Sequence, residues 1–383
     1  MQSTPHFPTD ELIKIRQHLH AHPELSGQEA QTAAFVLQKL QALQPRQIIH
    51  PIGKHGIAAV FEGAKPGPAI LFRAELDALP VHETNTFAYR SVSDNVGHKC
   101  GHDGHATLFL GLAYFLAENP PPAGRVVLCF QSAEETGQGA AWYVNDPQYV
   151  QLQPDYAFAL HNLPGLPAGT IVTSDAGFAS ASTGFVATLK SKTAHAAEPH
   201  NGINPGCAVA EMIHMLDALP REGQFEDFTL STLVNVRLGE EAFGTSAGHA
   251  VVMATLRAYR NTDMDRLMGQ AAERARNIAQ KHKLGLQVEW KEYFPATRNA
   301  PGANKQVQQA AQKLGYPVQA LENPFRWSED FAHFLKGAQG AMFGLGAGIS
   351  MPQLHNPDYD FPDEQLETGT RMFYQIMQQL LDL

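Results

Sequence analysis

The sequence has 383 residues, of which 28 are basic and 38 acidic, so the formal charge is −10. Its 44% hydrophobic and 17% charged residues are typical of a globular enzyme and exclude a disordered or collagen-like chain. The acidic balance, without a block of Lys and Arg, argues against nucleic acid as a partner. The longest apolar run, residues 107–117, is far shorter than the roughly 18 residues that span a bilayer, so we expect no membrane span.

Cysteine usage and the N-terminus bear on the compartment. Cys100, Cys129 and Cys207 are widely spaced in a long chain, a pattern that predicts no disulfide framework. Residues 1–10 are polar and contain proline, without the basic and apolar segments of a secretory signal. We therefore expect a cytoplasmic protein.

Helical and strand patterns alternate along the first half of the chain, which predicts an α/β sheet with helices on both faces. Ser26 and Glu29 have the spacing of a capping box, and the apolar residues behind them predict a helix over 30–43. A second helix is predicted near 105–118. Short apolar runs predict buried strands at 57–61, 69–72, 126–130, 156–160 and, late in the chain, 341–345.

Chemically reactive side chains follow these predicted strands. The segment 73–77 ends in Asp77, Glu134 and Glu135 follow the third strand, and His161 follows the fourth. The late strand leads toward His355. Because ligands of open α/β sheets bind beyond the carboxyl ends of the strands, we expect the functional site at that edge.

Residues 178–292 show a different pattern, with elements in the order β-α-β-β-α-β of a ferredoxin-like unit. The chain then resumes helices and a short strand, and a final helix is predicted over 363–381. We interpret residues 1–177 and 293–383 as two parts of one catalytic domain, interrupted by an inserted domain at 178–292.

The densest chemical cluster is the segment 98–105, where Cys100 and three histidines surround two glycines. Thiolate, imidazole and carboxylate ligands together suit zinc and similar metals. In an extended segment, Glu134 and Glu135 point to opposite sides, so one can bind metal while the other serves as a base. A histidine-activated Cys100 nucleophile, as in a thiol amidase, is the rival chemistry, but it needs no such carboxylate pair.

Six motifs follow one another along the chain, namely Arg73–Pro80, Cys100–His105, Ala133–Glu135, His195–His200, Ser328–Phe331 and His355–Pro357. Together and in this order they resemble the aminoacylase-related zinc exopeptidases. The narrower likeness is to the branch containing hippurate hydrolase, indole-acetyl-amino-acid hydrolase and N-acetyldiaminopimelate deacetylase. The resemblance runs from His20 to Glu364, and it predicts a mixed-sheet catalytic domain with an inserted α+β lid and dimerisation domain.

The resemblance also implies a site for two divalent ions per subunit. Cys100 bridges them in this interpretation, with Glu134 as general base and Asp77 orienting a metal-bound imidazole. His195 is expected to reach an active site, that of the partner subunit, and to bind the substrate. Zinc is the favoured metal, with manganese or cobalt as alternatives, and a homodimer or tetramer is expected. The remaining metal ligands are His102, Glu135, His161 and His355.

The sequence therefore predicts hydrolysis of the amide bond of an N-acyl amino acid, a small-molecule substrate, by water that the ions activate. A dinuclear-metal carboxypeptidase or dipeptidase is the alternative, and a non-catalytic binding protein is a third. The sequence departs from the family pattern in three places. Glu75 replaces an Asp, and Ser132 replaces a Pro. In the segment Gly244–Ala254, the usual Asn, Pro and Gly are replaced by Gly244, Ala247 and Ala254.

Overall fold

The computed structural model describes residues 5–381. Residues 1–4 and 382–383, which the sequence analysis assigned to the catalytic domain, lie outside the described range. The described chain divides into two compact units. Unit 1 runs to Phe178 and also includes Thr297–Pro324 and the residues from Asp330 onward, whereas unit 2 comprises Ala179–Ala296 and Phe325–Glu329. None of the helices in residues 5–381 combines the length and apolarity needed to cross a membrane.

The helices and strands alternate along both units. The helices are α1 (Thr9–Ala21), α2 (Ala30–Ala42), α3 (His102–Glu118), α4 (Gly139–Asn145), α5 (Gly206–Glu222), α6 (Asn261–Lys281), α7 (Pro301–Leu314) and α8 (Gln365–Leu380). The strands are β1 (Gln47–Ile52), β2 (Gly56–Glu62), β3 (Lys65–Glu75), β4 (Ala123–Gln131), β5 (Tyr156–Pro164), β6 (Ile171–Thr173), β7 (Gly177–Ala179), β8 (Ala181–Lys190), β9 (Ala194–His195), β10 (Thr229–Leu238), β11 (Thr245–Ser246), β12 (His249–Ala258), β13 (Gly285–Phe294), β14 (Thr297–Arg298), β15 (Val318–Ala320) and β16 (Gln339–Gly348).

Unit 1 is built on an eight-stranded sheet in the order β1-β2-β4-β3-β5-β16-β6-β15. The central strands β4, β3, β5 and β16 run parallel, whereas β1, β2 and β6 introduce antiparallel pairs. This mixed sheet confirms the predicted class of the catalytic domain. Because the parallel strands share one direction, their carboxyl ends meet at the same edge.

Alternation along β3 shows how the sheet is covered on both faces. Ile70 and Phe72 belong to the large apolar core that also contains residues of α1, α2, α3, α7 and α8. Arg73 points to the opposite face, as the two-residue period of a strand requires. There its guanidinium donates to Asp330, which also accepts from the N–H of Ala140 in α4.

Unit 2 is a four-stranded antiparallel sheet in the order β10-β12-β8-β13, packed against α5 and α6. Its elements follow the β-α-β-β-α-β order, which agrees with the predicted ferredoxin-like arrangement. A separate two-stranded ribbon pairs β9 with β11, with His195 opposite Thr245.

Three local predictions were wrong. Ser26 and Glu29 do not form a capping box, because the Ser26 hydroxyl donates to Asp77 and Glu29 accepts from Gly27 and Ala133. His161 lies inside β5 rather than after it, since the strand continues to Pro164 beside β16. The segment after β4 is a turn at residues 134–137 rather than extended chain.

Candidate metal centre

The carboxyl ends of β3, β4 and β5 bring the candidate side chains of unit 1 together. Asp77 follows β3, Glu134 and Glu135 follow β4, and His161 lies in β5. Cys100 and His102 come from the loop that enters α3, and His355 comes from the loop between β16 and α8. Five separate stretches of sequence thus converge on one site.

Glycine at position 101 allows Cys100 and His102 to stand side by side. Gly101 has a φ of 89° as it caps α3, and a Cβ there would lie 2.4 Å from the Asn162 amide nitrogen. Both left-handed backbone and lack of space therefore demand glycine. The Sγ atom of Cys100 lies 3.5 Å from Nε2 of His161, whose Nδ1 bonds the carbonyl of Asn162.

His102 is oriented by the chain around Asp77. Its Nδ1 donates to the Asp77 carbonyl at 2.9 Å and lies 3.4 Å from the carboxylate Oδ1. Its Nε2 is buried and has no hydrogen-bond partner among the described residues, and it faces Oε1 of Glu135 at 3.9 Å. Burial opposes a charge here, but Asp77 and the neighbouring carboxylates outweigh it and raise the pKa of His102 to about 10. The surroundings of this ring therefore favour positive charge.

Glu135 lies between two histidines. Its Oε2 is 3.8 Å from Nε2 of His355, and its other oxygen faces His102. His355 has a φ of 67°, and its N–H donates to the carbonyl of Lys99 at 2.7 Å. The backbone next to Cys100 thus holds the loop that carries His355.

These side chains fit a pair of metal ions. The ligand atoms of Cys100, His102 and His161 lie within 4.8 Å of one another, as do those of Cys100, Glu135 and His355. His102, Glu134 and Glu135 form a third group of this kind. Because Cys100 belongs to two groups, one sulfur can serve two neighbouring ions. Sulfur, imidazole and carboxylate are donors that zinc accepts together.

The electrostatics of Cys100 bear on the rival thiol chemistry. Burial, reinforced by the charges of Glu135 and Glu134, raises the pKa of the Cys100 thiol well above its ordinary value. A nucleophilic cysteine needs the opposite shift, toward thiolate. The surroundings of Cys100 thus favour a metal ligand over an unassisted nucleophile.

Several contacts in this region were not predicted from the sequence. Glu75, which pairs with Arg73, accepts from Nδ1 of His105 at 2.8 Å, and Nε2 of His105 accepts from the Asn162 N–H at 3.2 Å. The Asn162 amide then donates to the carbonyl of Cys100. The signal in the sequence was Arg73 and Glu75, two charges two residues apart in an apolar strand.

His195 belongs to unit 2, whereas the residues just described belong to unit 1. It is exposed on β9, and its Nδ1 lies 3.1 Å from the N–H of Ala197. The expected role of His195 stays a prediction.

The side chains of this cluster can hold metal ions, and comparisons with known proteins identify the family. The model of the family described as "Peptidase family M20/M25/M40" matches residues 71–379 of this chain. The chain belongs to this family, which confirms the resemblance carried by the motifs, and it is a hydrolytic enzyme.

Curated relatives and a solved structure cover nearly the whole chain. N-acetyl-L-cysteine deacetylase of Bacillus subtilis is 30% identical over 376 residues, covering 97% of this chain and 88% of the relative. N-acetylcysteine deacetylase of the same organism is 29% identical and covers 95% of each chain. The Bacillus subtilis YXEP protein, a dinuclear metal binding peptidase from the M20 family, is similar with a TM-score of 0.82, at 26% identity and 98% coverage of both chains.

Proposed function

We propose that this enzyme hydrolyses the amide bond of an N-acyl amino acid, releasing a carboxylate and the free amino acid. The observation that carries the proposal is the sharing of Cys100 between two groups of ligand atoms, next to the Glu134 carboxylate. Two relatives named for the deacetylation of N-acetylcysteine support the substrate class.

In this proposal Cys100, His102, Glu135, His161 and His355 hold two divalent ions, with zinc favoured by the sulfur ligand. When bound, such ions polarise an amide carbonyl and lower the pKa of water. Manganese and cobalt are the other metals to test. Asp77 fixes His102 through the hydrogen bond of the ring to its carbonyl.

Glu134 acts as the general base and then the general acid. Its side chain is buried at the site, where it can accept a proton from the attacking water and return it to the leaving amine nitrogen. His195 would stabilise the oxyanion that forms from the carbonyl oxygen. Three free cysteines among the described residues agree with a reducing compartment, and we propose the cytoplasm.

The reaction is tested with a substrate panel of hippurate, N-acetyl amino acids and dipeptides. Protein stripped with a chelator is restored separately with zinc, manganese and cobalt. We expect the hydrolysis of N-acyl amino acids to disappear and return with metal. Cleavage of dipeptides alone would instead identify a peptidase, and activity indifferent to chelator but lost on thiol alkylation would make Cys100 a nucleophile.

The Glu134→Gln variant tests the base. Because the amide cannot take up a proton from water, we expect turnover to fall on the order of 100-fold or more. Elemental analysis should show the metal content of the parent protein, because Glu134 is assigned to proton transfer. Near-normal turnover would rule out this assignment.

A further inference from the structure

Glu29 is a buried carboxyl group that reaches the turn carrying Glu134. It lies just before α2 and is fully buried. Its Oε1 accepts from the N–H groups of Gly27 and Ala133, both at 2.7 Å. The second contact joins residues far apart in the chain, at the position directly before Glu134.

Asp77 holds the other side of Glu134. Its Oδ2 accepts from the N–H of Glu135 at 2.9 Å and from the Ser26 hydroxyl at 2.7 Å. Carboxylates therefore bind the backbone N–H groups immediately before and after Glu134. Two buried acidic side chains thus bind the backbone of a single turn.

The turn needs such support because its backbone is unfavourable. Ala133 has a φ of 54°, in the left-handed region that residues with a Cβ rarely adopt. Conformations of this kind persist only where the surroundings impose them. The N–H of Ala133 is bound by Glu29, and its carbonyl accepts from the Gly139 N–H at 2.9 Å.

We infer that Glu29 is a positioning residue for the hydrolytic reaction, which holds Ala133 in its left-handed conformation and thereby aims the Glu134 carboxylate. The inference rests on the proposed role of Glu134 as the base. Glu29 acts through the backbone of Ala133, and the atom that it needs is one accepting oxygen.

The chemistry of Glu29 agrees with that requirement. Burial and the charge of Asp77 raise the pKa of Glu29 to about 7, so a neutral carboxyl group is readily formed there. Glutamine resembles the neutral carboxyl in shape and keeps the accepting oxygen. Alanine removes that oxygen and leaves the N–H groups of Gly27 and Ala133 without it.

The test compares four variants of the full-length, metal-loaded enzyme. We expect kcat of Glu29→Gln to stay within about threefold of the parent, and kcat of Glu29→Ala to fall roughly 10- to 100-fold with KM nearly unchanged. Metal content should be the same in both. The decisive measurement is a double-mutant cycle, in which Glu29→Ala adds less than about twofold to the loss caused by Glu134→Gln.

Asp263 provides a matched control in unit 2. It is a buried carboxylate whose two oxygens accept from the N–H groups of Glu226 and Asp227, each at 3.0 Å. Asp263→Ala should lower the melting temperature without changing kcat. If Glu29→Ala fails to fold, Glu29→Asp, which is one methylene shorter, takes its place in the cycle.

The outcomes separate the two proposals. If Glu134→Gln is slow but kcat of Glu29→Ala is normal, the role of Glu29 is overturned and the role of Glu134 stands. A further loss of tenfold in the double variant would show that Glu29 acts on the fold and not through Glu134, and would also overturn it. Near-normal turnover of Glu134→Gln would remove the proposed base and this inference with it.

Discussion

Among the residues of the site, Cys100 has the surroundings that argue most strongly for a single chemical role. Its sulfur is buried beside the carboxylates of Glu134 and Glu135, which disfavour a thiolate unless positive charge is nearby. The imidazole of His161 approaches the same sulfur at 3.5 Å. A metal ligand is the role in which all of these neighbours contribute.

We therefore expect Cys100→Ser to bind less metal, since a hydroxyl is a much poorer ligand for zinc than a thiolate. The measurement is elemental analysis after gel filtration in metal-free buffer. Cys207→Ser is the matched control, because Cys207 is exposed and lies in unit 2. Equal metal content in the Cys100 variant and the parent protein would refute the bridging role.

At the scale of elements, a buried ion cluster ties α1 to α3 and to the loop after β3. His20 near the end of α1 bonds Asp103 of α3 through Nδ1 at 2.8 Å and Glu83 through Nε2 at 2.9 Å. Lys99, one residue before Cys100, binds the same Glu83 at 2.6 Å. The packing of α1 thus supports the loop that enters the metal centre.

The pH dependence of stability follows from His20. Burial opposes its charge, but the hydrogen bonds to Asp103 and Glu83 outweigh burial and raise the pKa of His20 to about 9. Because the folded-state pKa lies above the unfolded value of about 6.5, this contribution is complete below about pH 6.5 and is lost as the pH rises through about 9.

His20→Gln should therefore lower the melting temperature most near about pH 6, and the deficit should shrink toward about pH 10. Thermal unfolding across that range measures the difference. His214→Gln, at an exposed site on α5, is the control and should leave the curve unchanged. A deficit for His20→Gln that is constant with pH would contradict an imidazolium at this position.

The outer strand β10 of unit 2 bears on the homodimer that the resemblance leads us to expect. Leu233, Val234 and Leu238 are 43%, 61% and 45% exposed on this strand, which pairs only with β12 in the four-stranded sheet of the described chain. Apolar side chains along an unpaired edge favour association with another chain.

Val234→Lys should convert a dimer to a monomer, because a lysine on the edge opposes pairing with a second strand. Light scattering at micromolar concentration gives the mass. Val150→Lys replaces a 69% exposed valine of unit 1 and should leave the mass unchanged. A parent protein that is already monomeric would remove the proposed interface.

At the scale of the whole molecule, helices and strands with a clear apolar periodicity were predictable from the sequence. Places where a distant residue takes the position of a predicted local partner were not. The six elements of unit 2 appear in their predicted order because each carries its own apolar pattern. The prediction of an extended segment after β4 was wrong because two distant carboxylates, Glu29 and Asp77, bind the backbone of the turn that forms there. The capping-box prediction failed for a similar reason, since the Ser26 hydroxyl donates to Asp77 and Glu29 accepts from the N–H of Ala133.

The candidate site shows the same division. Cys100, His102 and the Glu134–Glu135 pair were found because their residue types concentrate in short segments beside predicted strands. The overlapping groups of ligand atoms that these residues form with one another and with His161 and His355, each group within 4.8 Å, emerge only when the strands align. The contacts of Arg73, His105 and Asn162 were not predicted, because their partners are distant in the sequence and are brought together by the sheet.

The pairing of β5 with β16 constrains how the protein can be made. These two strands are neighbours in the sheet, but in the sequence the whole of unit 2 lies between them. On the ribosome, the four strands of unit 2 are therefore synthesised before β16 can close the sheet of unit 1. Until then β5 has an open edge that carries buried residues such as Phe158 and Leu160. The nascent chain is accordingly most vulnerable to aggregation late in translation, and chaperones that shield unpaired strands would act there.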